Sequence, residues 1–352
     1  MVRKIEVDNH KLMLHPERVA EWRKTGDCAP IYIEIGPINR CNHQCVFCAL
    51  DWLEQGKIDI DRDVMLKSLE NMAEYGVKSI MFAGEGEPIL HKDIGLFTQK
   101  AKQYGLDISI TMNGSAFSKE KREQCLPYLS WARFSIDSGS PGNYSEVHRT
   151  NSRDFGRVIE NIRESVKFRD DHNLEVTLGV QFLMIPQNLG EAGKLAEILR
   201  DTGVDNLQIK PYSHHPDSLN DLIVDSQSYN GLEDELKAFE TEDFEIKFRR
   251  ATAERIQEGI TYPLCYGSSF FALADAKGNV IPCNLFYDDE KFTYGNLNEN
   301  SFRDIWESQK RREVLERMRE KGVEGCRKGC RLDADNRYLH RLENPQAHDN
   351  FI

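Results

Sequence analysis

The stretch CNHQCVFC brings together three cysteines, Cys41, Cys45 and Cys48. Three thiolates are one ligand short of the closed tetrahedral site of a structural zinc ion. His43 lies inside the motif, but it is too close in sequence to complete the same site comfortably. Soft thiolate ligands and an open position favour a four-iron, four-sulfur cluster, in which one iron stays free for a ligand with amine and carboxylate arms.

A second group of cysteines lies near the end of the chain, at Cys265, Cys283, Cys326 and Cys330. Four thiolates close a metal site completely, and on spacing alone zinc competes with an iron–sulfur cluster here. Residues 270–282 are typical of a β-hairpin with one cysteine at each end, and residues 301–322 predict a helix. The hairpin and the helix are therefore expected to position this second metal site.

The composition is that of an ordinary globular protein, with 352 residues, 39% of them hydrophobic, and a net charge of -12. The acidic balance argues against a nucleic-acid partner, which needs a clustered basic patch. No apolar run approaches the roughly 20 residues of a membrane helix, and the N-terminus lacks a signal-peptide core, so no membrane partner is expected. We therefore predict a cytoplasmic protein, whose cysteines bind metal rather than form disulfides. Cys28 and Cys125 stand alone and are expected to be buried thiols.

Between the two cysteine groups, strand and helix patterns alternate. This alternation predicts an α/β fold with a parallel sheet and right-handed crossovers, either doubly wound or barrel-like. The predicted strands are 29–36, 78–88, 106–114, 131–140, 174–186 and 204–212, and the predicted helices are 61–76, 91–105, 118–129, 153–172 and 188–203.

In both kinds of parallel fold, ligands bind at the carboxyl ends of the strands. The polar residues at these ends are therefore the candidates for binding and catalysis. They are residues 84–87, Asn113, Ser135, Asp137, Gln181 and residues 210–215. Taken singly, Asn113 before Gly114 is typical of a turn, and Ser135 and Asp137 are typical of strand-end caps.

The cysteine motif after the first strand, with the aromatic Phe47 directly before its third cysteine, resembles the signature of the radical S-adenosylmethionine (radical SAM) enzymes. The segment FAGEGEP is similar to the family's Gly-Gly-Glu motif, which contacts the methionyl amino group of SAM. It departs slightly from that motif, and its aligning pair is Gly86-Glu87. The resemblance covers residues 29–212 and implies a partial (β/α)6 TIM-like barrel. The residues for which it implies contact with SAM are Phe47, Gly84, Gly86, Glu87, Asn113, Ser135, Asp137, Arg149 and Gln181.

The second cysteine group, with Gly278 in its hairpin, resembles the SPASM and Twitch extensions of radical SAM enzymes, which carry auxiliary four-iron, four-sulfur clusters. The fuller SPASM pattern has seven cysteines, whereas four here fit the shorter, single-cluster form. Three residues separate the last cysteine pair, where two are commoner. The predicted units are an N-terminal extension (1–28), the partial barrel (29–215), a connecting segment (216–259), a small α+β iron–sulfur domain (260–335) and a polar tail (336–352).

The resemblance implies that the first cluster reduces SAM, and that the resulting 5′-deoxyadenosyl radical takes hydrogen from the substrate. The auxiliary cluster is then expected to accept a second electron, unless it is purely structural. The net reaction is a dehydrogenation of a small polar substrate such as a sugar, cyclitol or nucleotide. An external reductant such as flavodoxin or ferredoxin is the expected partner. The candidate bases are Lys210, Tyr212, His214 and His215, with Gln181 and Arg250 as weaker candidates.

Three alternatives stay open. A ribosomal-peptide maturase would be expected to carry a leader-binding domain, for which residues 1–28 are too few, although a separate protein could supply one. An epimerase would need Cys28 or Cys125 as its hydrogen donor. A non-catalytic iron–sulfur sensor would cleave no SAM under reduction.

Overall fold

Ten strands form one sheet in the computed structural model, which describes residues 9–224 and 231–351. Parts of the predicted N-terminal extension and connecting segment lie outside these residues. Named β1 to β10 in chain order, the strands are Tyr32–Ile35, Ser79–Phe82, Asp107–Met112, Trp131–Ser135, Thr177–Met184, Asn206–Pro211, Glu245–Phe248, Phe271–Ala274, Asn279–Ile281 and Gly295–Asn296. The first six lie within the six predicted strands, whereas β7 was not predicted.

The helices of the described residues, named α1 to α12 in chain order, are Pro16–Thr25, Arg62–Tyr75, Ile94–Gln103, Lys119–Cys125, Pro141–Val147, Arg153–Asp171, Ala192–Arg200, Leu232–Lys237, Arg250–Glu258, Phe302–Trp306, Gln309–Lys321 and Asp333–Glu343. The single helix predicted at 301–322 is wrong, because two helices occupy it. The hydroxyl of Ser308 accepts the backbone N–H of Arg311 and so starts a second helix inside the predicted one. The predicted polar tail contains most of α12.

The strands lie in the order β10-β9-β8-β1-β2-β3-β4-β5-β6-β7, and every pair from β8 to β7 is parallel. The predicted parallel α/β fold is confirmed. The hairpin of β8 and β9 is antiparallel, as predicted, but β8 also pairs with β1 in the register Tyr32 to Phe271. The C-terminal cysteine region is thus attached to the same sheet as the N-terminal motif. No pairing joins β7 to β10 within the described residues, so the barrel is a partial one.

Helix α2 shows how the local sequence sets the element boundaries. The Asp61 side chain caps the helix by accepting the backbone N–H groups of Asp63 and Val64. Gly76 ends it in the left-handed region at φ +102°, a conformation that glycine adopts without steric cost. The chain therefore turns back into β2 at the point predicted from sequence.

Strand β1, which leads into the cysteine loop, is buried on both faces. In β1, Ile33 and Ile35 have no exposed surface and Glu34 between them is 5% exposed. Continuous burial of this kind is typical of parallel strands covered by helices. Because the strands are fixed by packing, the loops at their carboxyl ends start from defined positions.

The segment before β1 is tied to the C-terminal region by a buried cation. The Arg311 guanidinium is fully buried, lies 3.7 Å from the ring centre of Trp306, and pairs with Asp27. The Trp306 indole N–H donates to the carbonyl of Cys28 at 2.9 Å. A buried guanidinium that loses its carboxylate is strongly destabilising.

Replacing Asp27 with alanine is expected to lower the free energy of unfolding by about 2–3 kcal/mol, because Arg311 then stays buried without its partner. The loss falls below that of a wholly buried pair, since the Asp27 side chain is 39% exposed. Glu343→Ala is the control, because it removes the exposed pair with Arg23 and should cost less than about 1 kcal/mol. Denaturant unfolding measures both, and equal losses would contradict the prediction.

Candidate active site

The three cysteines of the N-terminal motif lie in the loop between β1 and α2, all partly buried. Burial raises the pKa of Cys41 to about 12. Burial first, and then the neighbouring charges of Cys48 and Cys41, raise the pKa of Cys45 well above its ordinary value. Thiolates so close together repel each other, and a cationic metal centre relieves that repulsion. The donor set therefore fits a cluster held by three thiolates.

The Gly84–Glu87 loop after β2 packs directly on the cysteine loop. A side chain at Gly86 would place its Cβ 2.6 Å from the carbonyl oxygen of Arg40 and closer still to that of Ile38. The backbone N–H of Glu87 donates to the same Arg40 carbonyl at 2.9 Å. Glycine at position 86 therefore allows the two loops to touch immediately before Cys41.

The backbone conformation at position 84 requires a glycine. It adopts φ +106°, and a Cβ there would lie 2.9 Å from Cα of Gly36. Glu85, which lies between Gly84 and Gly86, accepts the backbone N–H of Ala276 at 2.8 Å, and this bond ties the loop to the hairpin of β8 and β9. Burial raises the pKa of Glu85 to about 7.

A chain of hydrogen bonds runs from Glu87 to the first cysteine. The Glu87 carboxylate accepts the backbone N–H of Asn113 at 2.7 Å and that of Ile89 at 3.3 Å. Asn113 donates from its side chain to Asn42 at 2.8 Å, and the same amide nitrogen lies 4.0 Å from the sulfur of Cys41. Glu87 is 4% exposed, and burial raises its pKa to about 7. Its carboxylate thus positions the end of β3 beside the cluster loop.

The second cysteine is held by the end of β4. His148 Nδ1 lies 3.2 Å from the sulfur of Cys45, and His148 Nε2 accepts the backbone N–H of Asp137 at 3.2 Å. The Asp137 carboxylate accepts the backbone N–H of Leu183, and burial raises the pKa of Asp137 to about 7. The His43 ring is also buried here, and its ligand atoms and those of Cys45 and His148 lie within 4.8 Å of one another. A side chain that we considered too close in sequence to complete the site thus lies next to the second cysteine.

The remaining predicted SAM contacts are less closely grouped. Ser135 and Gln181 are direct partners in the register of β4 and β5, so they share one edge. The Phe47 ring packs edge-on to His148, with centres 5.6 Å apart. Arg149 is exposed at φ +46°, and within residues 9–224 and 231–351 it has no hydrogen bond or ion pair. The structure therefore does not bring Arg149 to the group around Cys41 and Cys45.

The four C-terminal cysteines line one cavity of about 190 Å³, although they come from three separate segments. Cys265 precedes β8, Cys283 follows β9, and Cys326 and Cys330 lie between α11 and α12. Burial first, and then the neighbouring Cys265 thiol, raise the pKa of Cys326 to about 11 and that of Cys330 to about 12. The Asn336 amide nitrogen lies 3.6 Å from the sulfur of Cys265. Four converging thiols fit a fully ligated metal site.

The four candidate bases have different surroundings. His214 is exposed. The Tyr212 hydroxyl donates to Asn220 at 2.7 Å. His215 is fully buried, with Nδ1 accepting the N–H of Asp217 and Nε2 3.3 Å from the carbonyl of Asn284. Both of its ring nitrogens are therefore used in holding the chain.

Of these four residues, only Lys210 lines the cavity of the C-terminal cysteines. Ser213 also lines it, at the same end of β6. The weaker candidate Arg250 lies on the surface and pairs with Glu233. The carboxyl end of β6 therefore meets the C-terminal cysteine site through Lys210 and Ser213.

Sequence reasoning missed two polar side chains that contact the cysteine loop. Asn42 lies inside the motif and donates to Ser115 at 2.7 Å. His148 directly precedes Arg149, the residue that we had selected. In both cases the sequence marked the region through a neighbouring motif or residue. Only the fold shows which of the adjacent side chains points inward.

Models of two protein families match the chain, the radical SAM superfamily over residues 35–199 and SPASM, an iron–sulfur cluster-binding domain, over residues 265–331. The chain belongs to the radical SAM superfamily. A cofactor-modifying protein for tungsten-containing aldehyde ferredoxin oxidoreductase from Pyrococcus furiosus is 25% identical over 80% of this radical SAM chain and 81% of its own. An S-adenosylmethionine-dependent nucleotide dehydratase from Flammeovirga pacifica is 28% identical over 54% of this chain and 67% of its own.

Solved structures share the fold. Streptococcus suis SuiB bound to the precursor peptide SuiA aligns with a TM-score of 0.68 at 16% identity, over 90% of this chain and 74% of SuiB. The radical SAM protein anSMEcpe with bound AdoMet aligns with a TM-score of 0.55 at 15% identity, over 87% and 91% of the two chains. Among the described residues, no helix has both the length and the apolar character needed to cross a bilayer.

The family match decides between the two metals considered for the C-terminal site. A radical SAM domain binds a four-iron, four-sulfur cluster and SAM, and a SPASM domain binds auxiliary iron–sulfur clusters. The predicted cofactors are confirmed, and the zinc alternative for the C-terminal cysteines is wrong. The spacing of the C-terminal cysteines resembles that of a zinc site, because zinc ions and iron–sulfur clusters both take four converging thiolates.

Gly86→Ala is expected to push the Gly84–Glu87 loop away from the cysteine loop, because the added Cβ meets two backbone carbonyls. We expect the variant to lose most of one cluster, about four irons. Gly190→Ala is the control, since its Cβ meets nothing within 4 Å. Iron and sulfide content after anaerobic reconstitution measures the effect, and full loading of Gly86→Ala would refute it.

Proposed function

We propose that this radical SAM enzyme is an oxidoreductase that dehydrogenates a small polar substrate, such as a sugar, a cyclitol or a nucleotide-like molecule. The observation that supports this proposal is the cavity of about 190 Å³, which is lined both by the four C-terminal cysteines and by Lys210 and Ser213 at the end of β6. An auxiliary cluster at these cysteines borders the space where ligands of parallel sheets bind. A cluster at this position could accept an electron from a bound substrate.

With a cluster held by Cys41, Cys45 and Cys48, bound SAM would supply the radical that takes a hydrogen atom, and an external flavodoxin or ferredoxin would supply the initiating electron. Oxidation of a secondary alcohol to a ketone then requires the substrate to lose one more electron and one proton. The four-cysteine site provides for the electron. The proton needs an acceptor among the side chains of the cavity.

We assign the proton to Lys210. Burial and the charges of Arg327, Arg249, Arg133 and Arg331, in that order, lower the pKa of the Lys210 ammonium well below its ordinary value. A lysine with a lowered pKa can accept a proton near neutral pH.

The name of the Flammeovirga pacifica relative supports a nucleotide-like substrate, because that protein is a nucleotide dehydratase. Its reaction differs from the one proposed, so it supports the class of molecule and not the chemistry. The polar and basic side chains of the cavity, among them Lys210, Ser213 and Arg327, suit a polar molecule of this kind.

The test compares the wild type with a variant in which Cys265, Cys283, Cys326 and Cys330 are all alanine. After reconstitution we expect about eight irons in the wild type and about four in the variant. With a panel of sugars, cyclitols and nucleotides labelled with deuterium, both proteins should form 5′-deoxyadenosine. Only the wild type should form the oxidised product, because the variant lacks the electron acceptor.

Cys125→Ala is the matched control, since Cys125 is buried against α3 and does not line the cavity. It should keep both clusters and the product. Equal yields of oxidised product in the wild type and the four-alanine variant would show that the auxiliary cluster is not the acceptor and would overturn the proposal.

A second candidate function is the modification of a larger substrate, such as a peptide or a bound cofactor. Leu219 and Ile223 are 76% and 87% exposed in the segment after β6, and exposed apolar side chains of this size suit a macromolecular contact. The Pyrococcus furiosus relative is named as a cofactor-modifying protein. The epimerase alternative has less support, because Cys28 and Cys125 are buried and neither lines the cavity.

A further inference from the structure

The cavity that holds the C-terminal cysteines also carries an excess of positive charge. One carboxylate, Glu34, lines it, against five basic side chains: Lys210, Arg249, Arg255, Arg327 and Arg331. Arg331 pairs with Glu34, and Arg255 lies 3.0 Å from Asp333. Arg327 is held by Ser213, whose hydroxyl it reaches at 2.9 Å.

Lys210 has no such partner. In the described part of the chain its Nζ makes neither a hydrogen bond nor an ion pair, and Arg249, Arg327 and Arg331 line the same cavity. Buried like charges are unfavourable unless an anion offsets them. The sequence of β6, with one lysine between apolar residues, gave no sign of this crowding, because the arginines come from distant segments.

Strand pairing places Lys210 toward the N-terminal site. Lys210 is the register partner of Leu183, and the Asp137 carboxylate accepts the backbone N–H of Leu183. Asp137 in turn donates its own backbone N–H to His148, which contacts Cys45. Lys210 therefore lies on the wall of the cavity that continues into the strand ends around the N-terminal cysteines.

We propose that the substrate carries a phosphate or carboxylate group, and that Lys210 and Arg327 hold this group in the cavity. The inference rests on the proposed function, because it assigns the substrate to the same cavity. The anion also offsets the positive charge that Lys210 gains when it accepts the proton. A neutral sugar or cyclitol satisfies neither requirement.

The experiment measures binding without turnover, in the cluster-loaded, SAM-bound enzyme. Pyrophosphate and citrate are the anionic probes, and inositol is the neutral one. We expect at least one of the two anions to bind saturably and inositol not to bind. The difference in affinity between pyrophosphate and citrate shows whether the site prefers a phosphate or a carboxylate group. Lys210→Met should weaken anion binding about tenfold or more, while Lys210→Arg should keep it within a few-fold.

Lys119→Met is the matched control, since its ammonium is 82% exposed on α4, and it should bind as the wild type does. Absence of saturable anion binding to the wild type would overturn the inference. Equal anion binding by Lys210→Met and the wild type would also overturn the inference. A Lys210→Met variant that loses iron but binds anions as the wild type does would overturn it too. Because no product is measured, these results are independent of whether the auxiliary cluster accepts an electron.

A separate observation concerns His148, whose two ring nitrogens have different partners. Nε2 accepts the backbone N–H of Asp137 at 3.2 Å, so Nε2 carries no proton. The proton of the neutral ring is then on Nδ1, which lies 3.2 Å from the sulfur of Cys45. The tautomer is therefore fixed by the backbone, and His148 is the donor to the sulfur.

We infer that His148 is a positioning residue that donates an N–H···S hydrogen bond to the Cys45 ligand and raises the reduction potential of the N-terminal cluster. Hydrogen bonds to cluster sulfurs are among the factors that set such potentials. Asp137, through its backbone, and Phe47, through its ring edge, keep the imidazole in place.

The test is a redox titration of both clusters by electron paramagnetic resonance. We expect His148→Phe to shift the potential of the N-terminal cluster to a more negative value, and His148→Gln, which keeps an N–H donor, to shift it less. The C-terminal cluster is the internal control and should not change. Loss of the N-terminal cluster in both variants would indicate a purely structural role and would also overturn the inference. An unchanged potential in a fully loaded His148→Phe, or equal effects of the two variants, would overturn it.

Discussion

The close approach of the Gly84–Glu87 loop to the cysteine loop is the constraint on which the site depends. At Gly86 the backbones of the two loops are in contact. The Glu87 carboxylate then lies against the N–H groups that follow β2 and β3. From there Asn113 reaches Asn42, and the end of β4 reaches Cys45 through His148. A loop that carries three repelling thiols is thus held by three successive strand ends instead of by its own sequence.

Charge is distributed unevenly around this framework. On the N-terminal side the buried ionisable groups include the carboxyls of Glu87 and Asp137, and burial raises the pKa of both to about 7. The cavity of the C-terminal cysteines is lined mainly by basic side chains. Lys210 links the two regions, since it lines that cavity and pairs in register with Leu183, whose backbone N–H the Asp137 carboxylate accepts. The strand ends therefore change from acidic to basic side chains between one cysteine site and the other.

The sequence predicted much of this arrangement, because its strongest signals are local. The cysteine spacing, the glycines and the alternation of strands and helices each depend on a few adjacent residues. The sequence did not predict β7, whose four residues are all only partly buried and carry no clear pattern, or the break at Ser308. Nor did it separate His148 from Arg149 or reveal the charges around Lys210, because those depend on which distant segments the fold brings together.

The pairing of β8 with β1 has a consequence for electron transfer. The N-terminal cysteine loop follows β1, and Cys265 and Cys283 flank the hairpin of β8 and β9, so the two groups of cysteines are attached to neighbouring strands. Backbone hydrogen bonds in a single register hold these two strands together. An electron that passes from a substrate radical to the C-terminal cysteine site would cross a gap whose two walls belong to one sheet. Rotation of one domain against another therefore cannot widen that gap unless the sheet breaks.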